Sequence, residues 1–203
     1  MYVLDPETGI GTEKLVTVRP GSAAIDVPVE VKGDTTFDYD QQHDIAVKAV
    51  RGAVVGAHRG GITVQNDDPE PVITLAPVTD RVSEGGTLTW RLSLAEPAAV
   101  DIWTPVRVLP VTDGAELSTK DVDPQWLLDY SGDVPDPERP LSRANLWVWL
   151  NIPAGHLSTD FDVVTIRDQV AEPTESMRLA LTDDDAEPLP DRPVLTGTVL
   201  DAS

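Results

Sequence analysis

The chain has 203 residues, a mass of 21.9 kDa and no cysteine. Fifteen Lys and Arg against 35 Asp and Glu leave a net charge of −20. That balance opposes binding to nucleic acid or to an anionic membrane and suits hard cations, provided the carboxylates converge. Without cysteine there are no disulfides, thiolate metal sites or thiol nucleophiles. No apolar run approaches the roughly 20 residues that cross a bilayer. The opening Met1-Tyr2-Val3-Leu4-Asp5-Pro6 lacks the charged start and apolar stretch of a signal peptide.

Short segments that alternate in polarity lie between 18 prolines and 14 glycines. In chain order, the apolar positions are Ile25, Val27, Val29 and Val31, then Ile45, Val47 and Ala49. Next comes Thr87–Leu94, with Leu88, Trp90, Leu92 and Leu94 on one side, then Val100, Ile102, Val106 and Val108. Leu146, Val148, Leu150 and Ile152 follow, and finally Met177, Leu179 and Leu181. A period of two is that of a half-buried strand, and many such strands between turns predict an antiparallel sandwich or barrel. One short helix is expected within 118–130, with Trp126, Leu127 and Tyr130 on a shared face.

The chain also repeats itself. Pro20-Gly21, a strand, Gly33-Asp34, an acidic stretch and a second strand recur as Ala154-Gly155, a strand, Arg167-Asp168, Glu172-Pro173-Thr174-Glu175 and a second strand. Asp26, Asp34 and Asp38 each stand 134 positions before Asp160, Asp168 and Glu172. The copies close on Ile62-Thr63-Val64-Gln65-Asn66-Asp67-Asp68 and on Gly197-Thr198-Val199-Leu200-Asp201. This divides the chain into 1–68, the C-terminal half of a repeat; 69–71, a linker around Pro69-Glu70-Pro71; and 72–203, a complete repeat with an insertion around 122–145.

The order of these features, doubled at a fixed offset, resembles the Calx-beta domain family. In the second copy it runs from a strand at Val72–Leu75 to Val82-Ser83-Glu84-Gly85-Gly86, then Asp113-Gly114-Ala115, Lys120-Asp121, Pro153-Ala154-Gly155, Ile166-Arg167-Asp168, Glu172 and Glu175. The first copy carries the ending, with Asn66-Asp67-Asp68. The resemblance implies an all-β fold, an immunoglobulin-like antiparallel β-sandwich in tandem. It also implies calcium as a weak ligand held between loops. Transferred position by position, the ligands are Asp34, Asp38, Asp67 and Asp68 in the first copy, and Asp121, Asp168, Glu172, Glu175 and Asp201 in the second.

Several departures weaken both implied sites. Ala76 falls at an acidic ligand position, and Arg167 precedes Asp168. Ala202 and Ser203 follow Asp201, and Gln41 stands where the second copy has Glu175. Asp129-Tyr130 competes with Asp121 for one ligand position, and acidic loops that merely face water are the competing reading. The run Asp183-Asp184-Asp185 reads as a solvated hairpin tip.

The resemblance implies a structural, adhesive or spacer role in cell adhesion or communication, in an extracellular or cell-surface setting. The absent signal peptide leaves a cytoplasmic setting open. No EF-hand spacing, HExxH, GxSxG or P-loop is present, and His43, His58 and His156 are scattered, so no enzyme is expected.

The alternative is a carbohydrate- or protein-binding module. Trp103, Trp147 and Trp149 are out of phase with the apolar positions of their strands and point outward. The insertion is long enough to fold over Trp147 and Trp149, and this covering is the expected outcome.

Overall fold

The computed structural model describes residues 2–4, 11–13, 15–49, 51–52, 58–132, 134–183 and 185–202. The chain divides into two compact units, Met1–Glu70 and Pro71–Ser203.

The first unit holds two antiparallel hairpins. One joins β1 (Tyr2–Leu4) to β2 (Gly11–Glu13); the other joins β3 (Gln41–Ala46) to β4 (Arg59–Val64), with Gln41 opposite Val64. The strand expected at 25–31 is absent: this segment makes no ladder, and Ile25 and Val31 are 44% and 56% exposed. The reason lies in its counterpart. In the second unit the equivalent strand owes its structure to a partner, and no described segment of the first unit takes that partner's place. Alternation without a neighbouring strand leaves backbone groups to water.

The second unit is an all-β sandwich of two sheets. The smaller has the order β11-β7-β5, where β5 is Ile73–Thr79, β7 is Thr87–Leu94 and β11 is Ser158–Val164. The larger has the order β10-β8-β12-β13-β6, with β9 beside β12. Its strands are β6 (Arg81–Ser83), β8 (Ile102–Leu109), β9 (Ala115–Glu116), β10 (Val148–Ile152), β12 (Glu175–Leu181) and β13 (Leu195–Leu200). The alternation of polarity in the sequence becomes the two sides of each sheet. Leu88, Trp90 and Leu92 of β7 meet Phe161 and Val163 of β11, Ile152 of β10, and Met177 and Leu179 of β12, all fully or almost fully buried.

Gly197 of β13 lies directly against side chains of the opposite sheet. A Cβ there would lie 2.7 Å from Cζ2 of Trp90 and 2.9 Å from Cδ1 of Leu88. Glycine is required at this point because the large indole of the opposite sheet already fills the space.

The insertion supplies the helix α1 (Pro124–Ser131), and local chemistry sets both of its ends. The Asp123 side chain accepts from the N–H groups of Gln125 (2.8 Å) and Trp126 (3.1 Å), and Pro124 occupies the first turn. Gly132, at φ 64°, closes the helix with its N–H on the Leu128 carbonyl. The helix begins six residues into the expected 118–130 segment and ends one residue beyond it.

Trp126 and Leu127 are buried, and Tyr130 packs edge-on to Phe161 with ring centroids 5.4 Å apart. The Trp126 indole N–H donates to the carbonyl of Asp162 at 2.7 Å, and the Asp123 N–H to that of Val164 at 2.9 Å. The insertion therefore covers the open edge of β11, which would otherwise present unpaired carbonyls.

It does not cover the tryptophans. Trp147 is 66% exposed and Trp149 45%, so the expected covering is corrected. The insertion buries Trp126, Leu127, Leu141 and Ala144 elsewhere rather than on the indoles. The 183–189 segment is a turn in which the Asp183 carboxylate accepts from the N–H groups of Asp185 and Glu187; Asp184 lies outside the described residues.

Candidate metal centre

Register brings acidic residues to one end of the large sheet. β12 runs antiparallel to β13, with Glu175 opposite Val199, and β13 runs parallel to β6, with Leu200 beside Ser83. The first residue of β12, the end of β13 and the end of β6 therefore share a pole. At the same pole the small sheet delivers Asp121: Val122 bridges Thr165, just past β11, and the Ile166 N–H donates to the Asp121 carbonyl at 3.0 Å.

Carboxylate oxygens of Asp121, Glu172 and Glu175 lie within 4.8 Å of one another, and all three residues are partly buried. Two oxygens that share a calcium ion at about 2.4 Å stand no more than about 4.8 Å apart, so this spacing meets the geometric requirement. Among the described residues this is the one such group of three.

The electrostatics show how closely the groups sit. Glu175 is pushed up to about 8, first by burial, then by the charges of Asp121 and Glu172, a hydrogen bond with Asp121, and the charge of Glu84. Glu172 is raised by burial and then by Asp121, Asp168, Glu84 and Glu138. Carboxylates that share a site resist ionising together. Asp121 is itself held firmly, its Oδ2 accepting from the Ser118 N–H at 2.5 Å.

Asp168 contributes charge from an exposed position, with one oxygen accepting from the Val170 N–H at 2.6 Å. Asp201 follows Leu200, whose carbonyl accepts the Glu84 N–H at 2.9 Å. Asp129, the competitor for the Asp121 position, accepts from the Gln125 side chain on α1 at 2.7 Å and is not one of the three. The Arg167 guanidinium donates to the Ala202 carbonyl at 2.5 Å.

Two contributors were missed at the level of sequence. Glu84 stands in the Ser83–Gly86 turn, where Gly85 has φ 79°. Its Oε2 is buried without a hydrogen-bond partner. Its signal in the sequence was an acid placed directly before Gly85-Gly86, within the motif Val82-Ser83-Glu84-Gly85-Gly86, and not assigned as a ligand. Glu138 comes from the insertion, which is laced to the Asp121 loop. The Thr119 hydroxyl donates to the Pro135 carbonyl (2.8 Å), the Thr119 N–H to the Arg139 carbonyl (2.9 Å), and Lys120 pairs with Asp136 (2.9 Å).

In the first unit, Asp68 is raised by partial desolvation and by the charges of Asp67, Asp34 and Asp38. Their oxygens are already engaged in part. Asp34 accepts from the Thr36 N–H and Asp38 from the Gln41 side-chain amide, both at 2.8 Å.

No family model matches the chain, and no curated protein matches it. The solved structures to which the chain is similar include the following three. The apo-form Calx CBD1 domain aligns at 16% identity over 64% of this chain and 98% of that one, with a TM-score of 0.39. The calcium binding domain CBD12 of CALX1.1 aligns at 15% identity over 63% of this chain, with a TM-score of 0.39. CBD12 from CALX1.2 aligns at 15% identity over 63% of this chain, with a TM-score of 0.37. The chain spans 45% of the length of each CBD12 structure.

Proposed function

We propose that the 72–203 segment is a non-enzymatic, calcium-responsive structural module, a spacer or adhesive segment that stiffens when its loops close on the ion. The observation that carries this reading is the meeting of Asp121, Glu172 and Glu175 within 4.8 Å at one pole of the sandwich. Glu84 supports it, because its buried Oε2 lacks a donor that a cation would replace. Asp168 and Asp201 complete the proposed ligand set, and water fills the remaining positions.

Calcium suits these residues better than magnesium. Six carboxylates drawn from several loops and strand ends match a large, flexible coordination shell, whereas magnesium demands a compact octahedron. On this reading residues 1–68 form the C-terminal half of a second such module, joined through 69–71, with Asp34, Asp38, Asp67 and Asp68 as a weaker site. No helix among the described residues is long and apolar enough to cross a membrane.

The test is calorimetric titration with calcium, combined with melting in calcium and in chelator. A dissociation constant of about 10⁻⁴ to 10⁻³ M is expected, as in extracellular modules. A roughly tenfold excess of calcium over that constant stabilises by about 1–2 kcal/mol. Asp121→Asn together with Glu175→Gln should remove the response. Identical melting of the unaltered protein in millimolar calcium and in chelator defeats the proposal.

A further inference from the structure

The face of the large sheet that points away from the core carries three exposed indoles. Trp103 is 55% exposed, Trp147 66% and Trp149 45%. Asn151 lies opposite Trp103 and Trp149 opposite Pro105, so Trp103 and Trp149 are diagonal neighbours on adjacent strands. Such positions are about 7–8 Å apart. Trp147 stands two residues before Trp149, roughly a further 6–7 Å along the chain. The Trp147 N–H donates to the Tyr130 carbonyl at 2.8 Å, which ties this end of the row to the helix of the insertion. Among the described residues none of the three rings pairs with another aromatic ring.

Polar groups are set into the same face. The Asn151 side-chain amide donates to Asp101 at 3.3 Å, and the other Asp101 oxygen accepts from the Ala154 N–H at 2.9 Å. The Asn151 Oδ1 is buried without a donor. Arg107, the neighbouring cation, is turned aside onto the Ala186 carbonyl at 2.9 Å.

We propose that Trp103, Trp149 and Trp147 form a stacking platform for an uncharged oligosaccharide, with its pyranose C–H faces lying on the indoles. Three observations select this occupant. The indoles expose roughly 400 Å² in all, the size of a functional patch on a monomer but about half of what each partner contributes to a stable protein interface. A second copy is further opposed by charge, since each chain carries −20, and the same charge opposes acidic polysaccharides. The row of rings runs obliquely across two strands and exceeds one sugar ring in length, which calls for a chain of them. The platform stands on observations independent of the acidic pole.

The test uses the whole chain. Tryptophan fluorescence is titrated with hexasaccharides of β-linked glucose, xylose, mannose and N-acetylglucosamine and of α-linked glucose, and retardation is followed in gels containing the matching neutral polysaccharides. Binding to at least one neutral glycan is expected, unchanged by chelator and insensitive to salt. Trp149→Ala or Trp103→Ala should weaken it by about five- to tenfold, and the triple alanine variant should abolish it with an unchanged far-ultraviolet spectrum. Failure to bind any of these glycans overturns the proposal. So does binding that survives in the triple variant, preference for an acidic polysaccharide that salt removes, or concentration-dependent dimerisation that the triple variant loses.

Discussion

The acidic pole makes a quantitative prediction about protons. Glu175, at about 8, lies far above the ordinary 4.5 of a glutamate, with burial as the first cause and the charges of Asp121, Glu172 and Glu84 behind it. At pH 7 only about one Glu175 in ten is ionised. A cation that takes Glu175 as a ligand must expel the proton. Apparent calcium affinity should therefore fall about tenfold per pH unit below 8, and about fiftyfold between pH 8 and pH 6. Stability in chelator runs the opposite way. A group whose folded value is raised contributes stability that is complete below about 4.5 and lost as pH rises through about 8, so melting in chelator should decline across that window while calcium offsets the decline. Calorimetry in two buffers of different ionisation enthalpy measures the proton released, close to one per calcium at pH 6.5. Glu175→Gln should flatten the pH dependence and weaken binding at pH 8. An affinity that changes less than threefold between pH 6 and pH 8, with no proton release, refutes the reasoning.

Three further perturbations test the scaffold. Gly197→Ala places a methyl group against the Trp90 ring and should cost about 1–3 kcal/mol in a denaturant melt, since the two sheets must separate to admit it. Trp126→Phe keeps the packing on Phe161 but leaves the Asp162 carbonyl without its 2.7 Å donor, for a loss of about 1 kcal/mol. Deleting residues 134–138 removes the Lys120–Asp136 pair and the Thr119–Pro135 bond, and should lower the melting temperature and loosen calcium binding through Asp121. The same deletion should leave quenching of Trp147 and Trp149 by acrylamide unchanged, because the insertion does not screen them.

The strands of the second unit were legible because side-chain parity is local. Leu88, Trp90, Leu92 and Leu94 fall on one side of β7 whatever lies around it, and the outward aim of Trp103 and Trp149 follows from the same rule. What parity does not encode is the neighbour. Ile25 to Val31 alternate as cleanly as β11 does, yet only β11 has β7 beside it. The insertion shows the same limit: its length was visible, but not its destination. Trp126 settled against Phe161 and gave its N–H to β11, so the segment covers a backbone edge rather than the indoles. At the acidic pole the sequence pointed to Asp121, Glu172 and Glu175, each on a different loop or strand end, but not to Glu84. That residue reaches the pole only through the pairing of β6 with β13.

The two units present the same hairpin with different chemistry. Gln41 opens β3 opposite Val64, as Glu175 opens β12 opposite Val199. In the first unit the residue at this position is an amide, and it donates to Asp38. Asp34 accepts from the Thr36 N–H and Asp40 from the Asn66 N–H, so acids there draw donors from within their own unit. A hydrogen-bond donor turned toward a carboxylate does, within the chain, part of what a cation would do. In the second unit the amide is replaced by an acid. Glu175 must share a proton with Asp121, and the Oε2 of Glu84 is buried with no donor. Protonation relieves that crowding only below about pH 8, at the cost of leaving Glu84 unsatisfied. A divalent cation would relieve both at once. The proposed drive to bind one is therefore greater in the second unit, where a carboxylate replaces the amide at the first residue of the strand and Glu84 adds a second unsatisfied acid.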